Sequence, residues 1–289
     1  MRSGFDGEEP PTVGDAPQLV VAAIGETEPG ADDEVFHRAR RQDLPGLRES
    51  EYPYSEDGKM PGGDNVAITD PLIWMTWVAA VTTQIRVATG ILILPQRNPV
   101  TLAKELATLD RLSGGRVELG IGVGWLEEEF NALGIPFEDR GARTDEYVEA
   151  LRALWTDDPA SFKGKFVSFE RCHSNPKPVQ TGGIPITVGG HSKAAARRAG
   201  RLGDGFFPGR FRPEELEPLL ATMRESATGA GRDPDKIEIT AGGAFDLDGV
   251  KKFADLGVDR MVVPPLGFDL ESLKKTIGDF ADSVIAKAS

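Results

Sequence analysis

The sequence is short of cysteine, of histidine, of positive charge and of long apolar runs, and each shortage removes a class of function. Cys172 is the only cysteine among 289 residues. It excludes an intramolecular disulfide and any multi-cysteine metal site, and it fits a reducing compartment, so the cytoplasm is the expected location. His37 and His173 have no partners at metal-ligand spacing, and no metal site is expected. Lys and Arg number 33 against 46 Asp and Glu, a net charge of −13. That balance argues against nucleic acid or an anionic membrane surface as a partner, since both attract basic proteins. No apolar run approaches the roughly 20 residues that span a bilayer. The opening MRSGFDGEEPPTVGDAP lacks the apolar core of a secretory signal. No Ser-His-Asp arrangement can be inferred, and no GxGxxG follows the first strand.

What is present is a large apolar fraction, 39%, in a chain whose length suits one barrel-sized domain. Residues 1–17 are acidic and rich in Gly and Pro and read as a loose or disordered arm, with residues 18–289 as a single domain. The legible centre is Ile85 to Gly124. Ile85 to Leu94 is apolar and β-branched at nearly every position, as a parallel strand covered on both faces is. Asn98 stands as an N-cap before Pro99, and Leu102, Leu106, Leu109 and Leu112 follow at helical spacing until Ser113-Gly114-Gly115. Val117 to Ile121 is again a buried strand, and Gly120, Gly122 and Gly124 remove side chains from its carboxyl end.

Around this unit, Leu19 to Ile24 is an apolar run whose length leaves strand and helix open. Glu34 to His37 suggests another short strand. Glu49 to Asn65 reads as a long loop, and Asp70-Pro71 opens a helix with Trp74, Trp77, Val78 and Val81 as its inward stripe. Glu127 to Leu133 and Asp139 to Trp155 are helical, the latter with Tyr147, Leu151 and Leu154 inward, and a small hairpin surrounds Gly164. Strands at about 184, 205, 237 and 260 then alternate with helices to the end. Six strands are clear, and two more within the first fifty residues would complete a (β/α)8 TIM barrel, with a doubly wound sheet as the alternative.

In a barrel, function sits at the carboxyl ends of the strands. Thr89-Gly90 interrupts a strand, which marks either a bulge against a ligand or a packing glycine. Trp125, just beyond Gly122 and Gly124, is either core filler or the border of a site. Gly189, Gly190, His191 and Ser192 open a helix. Exposed N–H groups, a hydroxyl and the helix dipole there suit a phosphate, and the plainer alternative is a turn capped by Ser192. Arg140 and Arg143 either reach a ligand or, more simply, pair with Asp139, Asp145 or Glu146. Glu127, Glu128 and Glu129 read as a solvated face.

The stretches TGILILPQRNPVTLAKELATLDRLSGGRVELGIGVGW, EFNALGIPFEDRGARTDEYVEALRALW and PITVGGHSKAAARRAGRLGDGF together resemble the bacterial luciferase-like monooxygenase superfamily, most of all its branch that uses the deazaflavin coenzyme F420. The resemblance runs from about Glu49 to Phe207. It implies a (β/α)8 barrel with a flavin-type ring at the carboxyl ends of the strands. It implies that Thr89 and Gly90 form a bulge, often with a non-prolyl cis peptide, behind the ring. Gly122, Gly124 and Trp125 would border the ring and its ribityl chain, Gly189, Gly190, His191 and Ser192 would hold the phosphate, and Tyr52 to Asp57 would cover the substrate side. The implied activity is hydride transfer between F420 and a small organic substrate. The alternatives are an FMN-dependent monooxygenase with a flavin reductase partner, or a catalytically impaired cofactor-binding barrel. A homodimer is implied by the resemblance alone. The chain departs from the family at its start, where the GxxLP strand and the Asp-His or Glu-His pair after the second strand are missing. Asp33 to Phe36 fits the second strand, and His37, the candidate catalytic residue, comes several positions early. Residues 1–48 therefore read as divergent, or as the product of a reading-frame disturbance, with the first βα unit incomplete.

Overall fold

In the computed structural model the described residues are 21–22, 69–209, 212–244, 246–263 and 269–288. His37, the arm over 1–17, the strand read at 33–36 and the covering loop at 52–57 lie outside them.

Two Asx-Pro pairs set the frame. The Asp70 carboxylate accepts the N–H groups of Leu72 and Ile73 at 2.9 and 3.2 Å and starts helix α1, Pro71–Val81. The Asn98 side chain does the same for Val100 and Thr101 at 3.0 and 3.2 Å and starts α2, Pro99–Ser113. Gly114 ends α2 in the left-handed region, φ 72°, where a side chain is disfavoured. Between the helices the expected strand is split into β2 (Val87–Ala88) and β3 (Leu92–Ile93), and both pair in parallel with β4, Val117–Gly122.

The chain continues through α3 (Glu127–Ala132) and α4 (Arg140–Thr156) into an antiparallel hairpin of β5 (Ala160–Lys163) and β6 (Ser168–Cys172). The Glu146 carboxylate ties the hairpin turn to α4 by accepting the N–H groups of Lys165, Phe166 and Val167 at 2.7–2.8 Å. Then come β7 (Ile186–Gly189), α5 (Lys193–Leu202), β8 (Gly205–Phe207), α6 (Pro213–Gly229), β9 (Glu238–Gly242), α7 (Leu247–Asp255), β10 (Arg260–Val262) and α8 (Leu270–Phe280).

The apolar run at Leu19 to Ile24 contributes a strand, β1 (Val21–Ala22), parallel to Val87–Ala88. The sheet order is β1-β2-β4-β7-β8-β9-β10, with β3 also on β4. Every pairing in it is parallel. This is a curled parallel sheet flanked by helices, a partial (β/α)8 barrel, rather than a doubly wound sheet. The core lies between sheet and helices: Leu119, Ile121 and Ile186 are fully buried with Leu102 and Leu106 of α2, Leu151 and Leu154 of α4, and Ala196 and Ala199 of α5.

Two expected apolar stripes are corrected. Trp77 and Val81 of α1 are 68% and 70% exposed, and Met75 and Ala79 are the buried residues instead. The segment PLIWMTWVAAV is apolar almost all round, so its periodicity does not select a face. Leu112, in the last turn of α2, is 76% exposed and shares its solvent-facing side with Arg111, while Ser113 of that turn is buried.

Arg116 closes the amino end of this region. Its guanidinium donates to the carbonyls of Ala79, Thr82, Ile85 and Ser113 at 2.7–2.9 Å and to the Thr82 hydroxyl at 3.0 Å, which satisfies the carboxyl ends of both α1 and α2. A lysine has one compact donor head and no planar fork. Arg116→Lys is therefore expected to cost about 2 kcal/mol of stability, the range of one or two lost charged hydrogen bonds. A urea midpoint equal to wild type would show that the helix ends find other donors.

The amino ends of the strands also carry a buried ionic cluster. Glu118 of β4 receives Arg86 at 2.5 Å and Arg260 at 2.6 Å, and Arg260 reaches Glu238 at 2.7 Å. Arg86 directly precedes β2 and Arg260 opens β10, near opposite ends of the strand order, so one carboxylate holds the curl closed at this end. Burial by itself raises the Glu118 carboxyl, but hydrogen bonds and charge from Arg260 and Arg86 outweigh it and hold the group below its ordinary 4.5. Its stabilising contribution is complete above that value and is lost as pH falls through the depressed folded value. Urea midpoints are expected to drop as pH falls below about 4.5, and Glu118→Gln is expected to flatten that slope. A variant that keeps the full acid slope would place the sensitivity elsewhere.

Candidate functional site

The carboxyl ends of β3, β4 and β7 open into a cavity of about 430 Å³, which reaches the first turns of α4 and α5. It lies at the end of the sheet opposite the ionic cluster.

Three segments build its floor and one wall. A Cβ on Gly120 would run into the Thr89 carbonyl oxygen, and one on Gly122 into the Ile91 side chain. A Cβ on Gly189 would lie 2.8 Å from Ile91 Cγ2. The room opened by these glycines is thus occupied by the chain itself. The 89–91 segment, which contains a cis peptide between Gly90 and Ile91, leans into the barrel, and Ile91 fills the gap between β4 and β7. The Thr89 hydroxyl donates to the Gly120 carbonyl at 2.6 Å and fixes this approach. Thr89 and Gly90 stand behind the cavity, and Ile91 and Ile93 form its surface.

Gly122, Gly124 and Trp125 line the same cavity, as do Gly189, Gly190, His191 and Ser192. Gly124 has φ 80°, and a Cβ there would lie 2.8 Å from both Phe130 and Ile93, so only glycine fits without strain. At the other end Gly190 has φ 127° and donates its N–H to the Phe207 carbonyl at 3.0 Å, which turns the chain into α5. Ser192 is the N-cap: its hydroxyl oxygen accepts the Ala195 N–H at 3.2 Å, and its carbonyl accepts the Ala196 N–H at 3.0 Å. The N–H groups of Lys193 and Ala194 have no acceptor among the described residues, and with the helix dipole they favour negative charge at this end. The Ser192 cap and the anion site are therefore compatible readings of one turn.

The arginines correct a simpler expectation. Arg140 and Arg143 do not pair with the neighbouring carboxylates, because those are engaged elsewhere. Asp139 pairs with Lys165 at 3.2 Å, Asp145 with Arg198 and Arg201, and Glu146 with the hairpin turn. Arg140 donates to the Gly124 carbonyl at 3.2 Å and the Phe137 carbonyl at 3.1 Å and lies 3.7 Å over the Phe137 ring, while Arg143 lies 4.5 Å over Phe166. Arg140, Gly141, Glu138 and Arg198 all line the cavity. Of the two readings open for Arg140, a ligand contact or a salt bridge, its place on the cavity leaves the first, while Ile91 and Arg198 were not among the expected site residues. Ile91 had a local signal, a branched residue directly after the Thr-Gly interruption. Arg198 had none, since it lies 53 residues from its partner Asp145.

His173 is remote from this cavity in chemistry as well as position, its ring being 2.8 Å from Asp158 on the surface. Chemically, the cavity has an apolar head, formed by Ile91, Ile93 and Trp125, and a polar, donor-rich tail at α4 and α5, whose lining holds Arg140, Arg198 and Glu138. That division suits a ligand with a flat apolar ring and an anionic extension.

The sequence model of the luciferase-like monooxygenase family matches residues 50–247. An uncharacterized protein of Mycobacterium tuberculosis is 37% identical over 248 residues, which cover 83% of this chain and 85% of that one. The F420-dependent glucose-6-phosphate dehydrogenase of Mycolicibacterium gilvum is 35% identical over 177 residues, 58% of this chain and 51% of that protein. The FMNH2-dependent dimethylsulfone monooxygenase of Pseudomonas putida is 35% identical over 155 residues, 53% and 42%. In fold, the coenzyme F420-dependent tetrahydromethanopterin reductase from Methanopyrus kandleri superposes with a TM-score of 0.67 at 19% identity, covering 77% of this chain and 88% of that one.

Proposed function

The chain belongs to the luciferase-like monooxygenase family, and from that membership we propose that it is an F420-dependent oxidoreductase that moves a hydride between the deazaflavin and a small organic substrate. The observation that carries the reading is the meeting, in one cavity, of an apolar head and a helix terminus built for an anion. When bound, the cofactor supplies the hydride chemistry at its ring. The chain's own contribution is placement. Ile91, Ile93 and Trp125 would face the ring and exclude water, and Ser192 with the first turn of α5 would hold the phosphate.

Titrating the purified protein with F420 and with FMN tests this directly. F420 is expected to bind and FMN to bind weakly. Tight FMN binding without affinity for F420 would favour the second reading, an FMN-dependent monooxygenase that needs a flavin reductase, which the Pseudomonas relative supports. Confirmed F420 binding without turnover on any of a broad set of alcohols, aldehydes and enones would favour the impaired barrel.

The protein is further proposed to be cytoplasmic and homodimeric. No helix among the described residues is long and apolar enough to cross a membrane. Ile73, Trp77 and Val81 form an exposed stripe at every fourth residue of α1, a spacing that can pack against the same stripe of a second copy. Light scattering at micromolar concentration is expected to give twice the chain mass of 31.1 kDa, and a monomer mass would remove the dimer.

A further inference from the structure

Glu138 stands on the cavity wall, in the turn that leads into α4. That turn is closed from Phe137 to Arg140, whose backbone N–H and Nη1 both donate to the Phe137 carbonyl, at 3.2 and 3.1 Å. Glu138 is exposed, and among the described residues no cation pairs with it. The arginines around it are turned elsewhere. Arg140 reaches the Gly124 carbonyl and lies over Phe137, Arg143 lies over Phe166, and Arg198 pairs with Asp145. Arg198 also ties the start of α4 to α5, donating from Nη2 to the Gly141 carbonyl at 3.1 Å. One cavity of about 430 Å³ therefore carries an unpaired carboxylate on its α4 side and, on its α5 side, the Ser192 turn with its free N–H groups. The screening length at physiological salt is about 8 Å, so the two sides feel one another. A carboxylate so placed works against an anionic ligand, and the cost grows with the charge of that ligand.

We infer that Glu138 is a specificity-determining residue that acts by repulsion. It disfavours a terminal phosphate monoester, which approaches a dianion, relative to a phosphodiester, which carries one charge. The inference rests on the reading of α5 as the phosphate site and adds the class of phosphate that the site accepts. FMN ends in a monoester, whereas the phosphate of F420 is a diester. Glu138 thus separates the two at the phosphate itself, independently of the ring.

The test holds the ring constant and varies the charge. The ligands are the deazaflavin with a bare ribityl chain, its phosphate monoester, and the methyl diester of that phosphate, titrated at about pH 8 into wild type and Glu138→Gln. Because repulsion scales with ligand charge, Glu138→Gln is expected to tighten the diester about 3-fold and the monoester about 10-fold, and to leave the bare chain unchanged. Both gains are expected to vanish in 1 M salt, where the screening length is about 3 Å. The melting temperature of the unliganded protein is expected to stay at the wild-type value, since an exposed turn residue is replaced by one of the same shape. Equal gains for the two phosphates, or none, would overturn the inference. Weaker binding of the bare chain would overturn it too, and would make Glu138 an acceptor for the ribityl hydroxyls. If neither phosphate improves on the bare chain in wild type, the phosphate reading of α5 falls together with the inference. If wild type binds only the riboflavin ring, the deazaflavin reading alone fails, and riboflavin, FMN and the methyl ester of FMN serve as the same three probes.

Discussion

Gly120→Ala is expected to lower the stability of the protein by about 4 kcal/mol, the sum of an overpacked core contact and a displaced buried hydrogen bond. The contact is backbone to backbone. A Cβ on Gly120 meets the Thr89 carbonyl oxygen, and neither side of that contact has a rotamer that relieves it. Separating the two strands also stretches the 2.6 Å hydrogen bond from the Thr89 hydroxyl to the Gly120 carbonyl. The useful control is Gly114→Ala. Gly114 has open space around its Cβ position and a φ of 72°, so its penalty is conformational only, about 1 kcal/mol. Urea unfolding of both variants separates the two causes. Equal midpoints would mean that the Thr89 segment yields without cost and that its close approach is not a constraint.

The second large effect concerns binding rather than stability. Ala194 is exposed in the first turn of α5 and lines the cavity. A carboxylate there strengthens the helix through its dipole by a few tenths of a kcal/mol. The same carboxylate repels a phosphate at roughly 5 Å by about 3 kcal/mol at an effective dielectric near 20. Ala194→Asp is therefore expected to leave the melting temperature unchanged or slightly raised while weakening the phosphate-bearing cofactor about 100-fold. The melting temperature does not fall with the affinity, so loss of folding cannot mimic the effect. Unchanged affinity in a stable Ala194→Asp protein would remove the phosphate from this helix.

Much of this architecture was written locally. Asp70-Pro71 and Asn98-Pro99 carry both their cap and their first-turn residue within two positions, and the structure uses each as the sequence suggested. The alternation of strands and helices from residue 85 to the carboxyl end is equally local. What escaped the sequence is non-local or degenerate. The Glu118 to Arg260 pair spans 142 positions, so nothing near either residue announces it. The buried side of α1 is not legible in its sequence because apolar residues surround that helix, and the choice between Trp77 and Met75 is made by what the helix meets. The glycines of β4 announced that something approaches closely, and family resemblance suggested a ring. In the structure the closest neighbours are Thr89 and Ile91, and the ring proposed for the site would lie one layer further out. The resemblance placed Gly122, Gly124, Trp125 and Gly189 to Ser192 around one space, and these residues do share one cavity. Arg140 was visible as a charge but not as an unneutralised one, which depends on where Asp139, Asp145 and Glu146 spend their own contacts.

The wedge formed by Ile91 between Gly122 and Gly189 has a consequence for how the sequence can drift. Three positions, two on strands β4 and β7 and one in the link between β2 and β3, share one fixed volume, so side-chain mass at any of them is a common resource. Growth at 122 or 189 is tolerable only with shrinkage at 91, and a methyl group can migrate around the trio more cheaply than it can be added to it. Joint randomisation of residues 91, 122 and 189 should therefore return folded proteins whose three side chains differ in arrangement but not in sum. Each arrangement would also reshape the surface offered to whatever lies above it. The shape of the cavity can then change by exchanging atoms among three interior sites, with every loop left as it is.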